Sequence, residues 1–124
     1  MAAITPVVTN LAAGSKLVTW TQINQDDTGD ELKSPVPGHT AAVIYVTGTF
    51  DTGVYTLEES LDDGATWNEA VSLGGSIAGG SDLDFSAAGA AAVTIQAEAR
   101  YRIAVAGGTT EDIDVSLFLL GIGA

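Results

Sequence analysis

RYRIAVAGGTTEDIDVSLFLL, residues 100–120, holds two alternating runs around a pair of glycines, and its reading decides the fold. Successive residues of a strand point to opposite faces, so Tyr101, Ile103 and Val105 share one side of the first run. Ile113, Val115, Leu117 and Leu119 share one side of the second. The link Ala106-Gly107-Gly108-Thr109-Thr110 supplies residues that accept positive φ, which predicts that the two strands are antiparallel neighbours.

The same texture runs back through the chain. Short groups of Val, Ile, Thr and aromatic residues lie between Gly, Asp and Ser clusters, and segments of helical spacing are nearly absent. Candidate strands are 16–22, 41–50, 54–61, 66–72, 83–85, 92–97, 100–106 and 112–120. Alternation adds Val18, Trp20, Ile44, Val46, Phe50, Tyr55, Leu57, Val93 and Ile95 to the predicted core. Asp51-Thr52-Gly53 reads as a second hairpin turn. The expectation is an all-β, antiparallel β-sandwich, jelly-roll-like, of about eight strands, occupying 15–124 behind an N-terminal arm, 1–14.

Three stretches fall outside that pattern. Residues 23–40 are long, acidic and carry Pro35 and Pro37, which bar them from a central strand and predict a loop. Residues 74–81 are glycine-rich, with Ile77 the sole sizeable apolar residue, and predict a flexible loop. In the last strand the face opposite the core reads Asp114, Ser116, Phe118, Leu120, so it starts polar and ends apolar. Apolar patches of that kind mark covered surfaces, either under the domain's own loops or against another subunit.

Composition narrows the partners. The chain has 124 residues, 16 acidic and 4 basic, for a formal charge of −12, and no cysteine. A polyanion is bound by clustered Lys and Arg, so no nucleic acid partner is expected. Without cysteine neither disulfides nor thiolate metal sites are available. The first residues lack the charged and unbroken apolar regions of a signal peptide, and no run approaches the roughly 20 apolar residues of a membrane-spanning helix. No membrane partner is expected.

Catalysis finds few candidates. His39 is the single histidine and sits beside Pro37 and Gly38, a setting that fits an exposed or loop-capping role better than a triad. Carboxylate pairs such as Asp26/Asp27, Asp30/Glu31, Glu58/Glu59 and Asp62/Asp63 arise readily in so acidic a chain, and no aromatic groove for a sugar accompanies them. Asp26 to Glu31 fails the EF-hand spacing. Neither an enzyme nor a cofactor is expected, and no metal site.

The most specific motif is Ser60-Leu61-Asp62-Asp63-Gly64-Ala65-Thr66-Trp67. It is similar to the Asp-box of sialidase-like propellers, S-x-D-x-G-x-T-W. That resemblance implies a hairpin device in which Ser60 and Asp62 tie up turn amides, Gly64 takes positive φ, and Thr66 leads into Trp67, which packs beneath. A propeller would need several copies and a longer chain, so the single copy implies a hairpin and no sialidase.

A wider pattern covers roughly residues 41–120. Val46-Thr47-Gly48-Thr49-Phe50, then Val54-Tyr55-Thr56-Leu57-Glu58-Glu59-Ser60, the Asp-box, and finally Arg100-Tyr101-Arg102-Ile103 with Gly107-Gly108, resemble small structural proteins of tailed bacteriophages. The resemblance implies a head decoration, or cement, protein on the outer capsid surface, bound to the major capsid protein and gathered as a homo-oligomer, with a trimer favoured. Its candidate contacts are Ile4, Val7, Val8 and Leu11 in the arm and Phe118, Leu120 and Ile122 at the end. Two other readings stay open: a carbohydrate-binding or host-adhesion module, and a tail, baseplate or fibre-associated subunit.

Overall fold

A computed structural model describes residues 2–24, 27–35, 40–70, 72–76, 83–96, 98–108 and 110–120. Twelve strands are present among them: β1 Ala2–Ile4, β2 Val7–Asn10, β3 Lys16–Ile23, β4 Asp27–Lys33, β5 Thr40–Thr49, β6 Val54–Ser60, β7 Asn68–Glu69, β8 Ser72–Ser76, β9 Asp84–Phe85, β10 Gly89–Ile95, β11 Arg100–Ala106 and β12 Asp112–Leu119. A 3-10 turn, Ala12–Gly14, joins β2 to β3. The first sheet runs β1-β4-β11-β6-β7 with β9 also on β6, and the second runs β2-β3-β12-β5-β10-β8. Apart from the parallel β1/β4 pair, the described pairings are antiparallel. The all-β sandwich expected from alternation is the observed fold, with more strands than about eight.

One apolar cluster fills the space between the sheets. Val18, Trp20, Ile44, Val46, Tyr55, Leu57, Val93, Ile95, Tyr101, Ile103, Ile113, Val115, Leu117 and Leu119 are all buried, and Phe50 and Val105 pack against them half-buried. Burying a side chain of this size contributes about 1.5–3 kcal/mol. Trp20 also ties the layers together, donating from Nε1 to the carbonyl of Asp30 on the facing sheet at 3.0 Å.

The two glycine links are not hairpins. β11 lies in the first sheet and β12 in the second, and likewise β6 lies in the first and β5 in the second. Both links are arches that carry the chain across the sandwich. They run side by side because β5 neighbours β12 in one sheet and β6 neighbours β11 in the other. Glu111 fastens them: its carboxylate accepts from the amide of Asp51 at 2.7 Å and from that of Gly53 at 3.3 Å.

Part of the expected loop 23–40 is a strand interior to the first sheet, since β4 lies between β1 and β11. Pro35 follows the strand, so it removes no ladder donor. An irregularity between Tyr101 and Ile103 sets Asp30 and Glu31 of β4 opposite Arg102 alone, which turns this acidic stretch outward. Residues 36–39, with His39, lie outside the described residues.

Two further expectations change. The stretch 66–72 is not one strand: β7 closes a hairpin on β6 in the first sheet, and the chain then passes to the second sheet as β8. Residues 74–76 of the expected glycine loop belong to β8, and 77–81 lie outside the described residues. The N-terminal segment lies on its own domain, with β1 added to β4 in one sheet and β2 to β3 in the other.

Candidate interaction surface

The two outward faces differ in chemistry. On the first sheet, Arg100 donates from Nη1 to Glu31 at 2.9 Å and from Nε to Asp63 at 2.8 Å. Arg102 pairs with Glu58 at 2.8 Å, and Lys33 with Glu98 at 2.7 Å. This is a solvated face laced with ion pairs, each worth little alone.

The Asp-box hairpin stands at its margin. Ser60 Oγ donates to Asp62 Oδ1 at 2.8 Å and accepts from the amide of Gly64 at 2.8 Å, while the amide of Thr66 donates to Asp62 Oδ1 at 2.8 Å. Gly64 adopts a φ of 93°, where a side chain would strain the backbone. The Trp67 indole donates to the carbonyl of Gly64 at 3.0 Å, and the Arg102 guanidinium lies 4.1 Å from the ring centroid. Trp67 therefore packs on the outward face under an arginine. Trp20 is fully buried, and the half-buried Trp67 has Arg102 over its ring.

The amide and hydroxyl of Thr66, then the hydroxyl of Ser60, hold the Asp62 carboxyl below its ordinary range. A lowered folded-state pKa stabilises the fold above the unfolded value and loses that stabilisation as pH falls through the folded value. Asp62→Ala is accordingly expected to lower the melting temperature at neutral pH. The deficit against wild type should shrink as the pH drops below the ordinary carboxylate range, as thermal scans across an acid series will read.

On the second sheet, register aligns the outward residues in rows. One row runs Thr9, Leu17, Phe118, Val43, Ala92 across β2, β3, β12, β5 and β10. A second runs Val7, Thr19, Ser116, Tyr45, Ala90. A third begins where the amide of Leu120 donates to Ala41, with Thr94 beyond it. None of these residues is charged. Among the described residues of these rows' strands, charge enters this face farther along β12, where Asp114 and Asp112 lie opposite Thr47 and Thr49, all on the same side. Tyr45 and Leu120 are 52% and 55% exposed. Ala41, Ala42, Val43, Ala92, Phe118 and Leu120 line a shallow apolar hollow of about 210 Å³.

The candidate contacts distribute unevenly over this surface. Phe118 and Leu120 sit in the hollow, and Val7 reaches the same face through its pairing with Thr19. Val8 and Leu11 are exposed, but Val8 aligns with the inward Val18 at the sheet's edge. Ile4 packs against the core, and Ile122 lies outside the described residues. Sequence reasoning missed Leu17, Ala41, Val43, Tyr45 and Ala92. The signal was there in 41–45, where every position between core residues is uncharged.

Tyr101 donates its hydroxyl to the buried Glu59 at 2.6 Å and accepts from the amide of Gln96 at 2.8 Å. Among the described residues no group of three or more His, Asp or Glu side chains is placed to hold a metal ion. No described helix is long and apolar enough to cross a membrane. Comparison with known protein families, with curated proteins and with solved structures finds no match to this chain.

Proposed function

We propose that this chain is a structural coat subunit: a head decoration protein that seats on the outer surface of a tailed-phage capsid and braces neighbouring major capsid subunits. One observation carries the reading. In a chain of formal charge −12, the outward face of the second sheet holds three rows of uncharged side chains. A contiguous uncharged patch, apolar around Phe118, Val43 and Leu120, on so acidic a molecule fits a surface covered in the working assembly. The phage-protein resemblance of residues 41–120 supplies the identity of that assembly, and an acidic coat on the outer shell keeps clear of packaged DNA. Engagement of both tryptophans by the fold weighs against the sugar-binding alternative.

Quantitative mass spectrometry of virions from the encoding phage, with heads separated from tails, tests the proposal. The expected result is a copy number comparable to that of the major capsid protein, confined to heads. Absence from heads, or a few copies travelling with tails, overturns it.

A further inference from the structure

We infer that the outward face of the second sheet is the seat itself, and that its partner presents apolar side chains bordered on one side by Lys or Arg. The inference rests on the coat-protein reading and specifies which surface does the binding and what chemistry receives it.

Size comes first. Two rows crossing five strands and a third crossing three, with strands about 4.8 Å and rows about 7 Å apart, make an uncharged area on the order of 400 Å². A stable two-body interface buries about 800 Å² on each partner, so this patch alone is too small for a tight dimer. It suits a subunit that seats beside others on a large surface.

Charge then chooses between a second copy and a different protein. The patch ends on one side at Asp114 and Asp112, with Asp114 four residues, or about 13 Å, along β12 from Phe118 and one of its oxygens accepting from the amide of Gln22 at 2.9 Å. A receiving surface must meet apolar residues at one end and two carboxylates at the other. A sister chain has little to offer those carboxylates. Arg100, Arg102 and Lys33 are ion-paired on the opposite face, and Lys16 donates to Asn10 at 2.6 Å. Two copies at −12 each also repel one another. A different protein with basic residues beside an apolar patch meets both demands.

The sequence carries its own reporter. It has three tyrosines; Tyr55 and Tyr101 are buried, while Tyr45 sits in the row of the patch nearest Asp114 and is 52% exposed. Nitration by tetranitromethane should modify Tyr45 in the free protein and spare it in intact virions. Rebinding to virions stripped of the protein gives the second arm. Val43→Glu with Phe118→Glu would press carboxylates into the contact and is expected to weaken rebinding by about tenfold or more. Leu61→Glu, at the exposed hairpin tip, should rebind as wild type does. Asp112→Lys should rebind more weakly and with less sensitivity to salt.

Should the double variant fail to fold, the Tyr45 footprint of the unaltered protein still decides. Nitration of Tyr45 at the same rate on the particle as in solution, or wild-type rebinding of the double variant, overturns the seat while the protein's presence on the particle upholds the coat reading. A free protein that sediments as an oligomer with Tyr45 protected makes the partner a second copy and overturns the heterologous contact. A virion that lacks the protein overturns both.

Discussion

Gly29→Ala is expected to cost about 3 kcal/mol and to lower the melting temperature by about 10 °C. A Cβ at this position would stand 2.6 Å from Cβ of Ile103 and 2.9 Å from Cδ1 of Trp20. Trimming Trp20 would not relieve the clash, because the nearest atom is a Cβ, which any residue but glycine brings to position 103. The backbones of β4 and β11 would have to part, and with them the bulge that turns Asp30 and Glu31 outward. Thermal denaturation of the single variant and of Gly29→Ala/Trp20→Phe will check this: the double variant should recover none of the loss. Full recovery would place the strain on the indole instead.

Tyr101→Phe is expected to cost about 3 kcal/mol at neutral pH, whereas Tyr55→Phe should cost nearly nothing. The two rings are equally buried, but their hydroxyls are not equally engaged. Removing the Tyr101 hydroxyl takes a donor from the buried Glu59 carboxylate and an acceptor from the amide of Gln96. The Tyr55 hydroxyl has no hydrogen-bond partner among the described residues. Burial raises both phenols well above their ordinary value of 10, helped by the bond to Glu59 for Tyr101 and by the charges of Glu111, Asp27 and Asp112 for Tyr55. Raised folded-state values mean that the stabilisation is complete below pH 10 and lost as pH climbs past it, by about 1.4 kcal/mol per pH unit for each tyrosine. Urea titrations from neutral to strongly alkaline pH should therefore show Tyr55→Phe lowering the alkaline slope with little neutral loss, and Tyr101→Phe changing both.

What was legible in the sequence was whatever period two could encode. β5, β11 and β12 alternate along most of their length, and β3 and β6 do so as far as Thr21 and Glu59, so these inward residues were readable without coordinates, whereas Ile23 turns inward only after the irregularity at Gln22. β4 was hidden because Asp27-Thr28-Gly29-Asp30-Glu31-Leu32-Lys33 has neither alternation nor strand propensity. Its pairing with β11 and the close approach of Trp20 make it a strand, and these are long-range facts. The links at 51–53 and 106–110 were misread as hairpins for a related reason. Glycine and Asp permit a reversal, but whether the reversed chain stays in its sheet or crosses to the other depends on its neighbours.

The interaction surface was legible at one end only. Phe118 and Leu120 stand out as apolar residues on the wrong face of a strand. Leu17, Val43 and Ala92 join them through register, which assembles one row from five strands. No single strand displays that row. The ion-paired opposite face was equally invisible, since Arg100 meets Glu31 and Asp63 from separate elements.

The position of β12 has a consequence for how the domain is made. It is the last of these strands to leave the ribosome, yet it lies inside the second sheet, bonded to β3 on one side and β5 on the other along nearly its whole length. Until it arrives, β3 and β5 have no template between them, and the nascent chain holds an open slot with two unpaired strand edges. The sandwich cannot close until β12 has joined it, so folding is slow, as pairings of high sequence separation dictate. During that interval the slot accepts any β12, including one from a neighbouring polysome product, which makes strand exchange the characteristic way for this domain to misassemble at high expression.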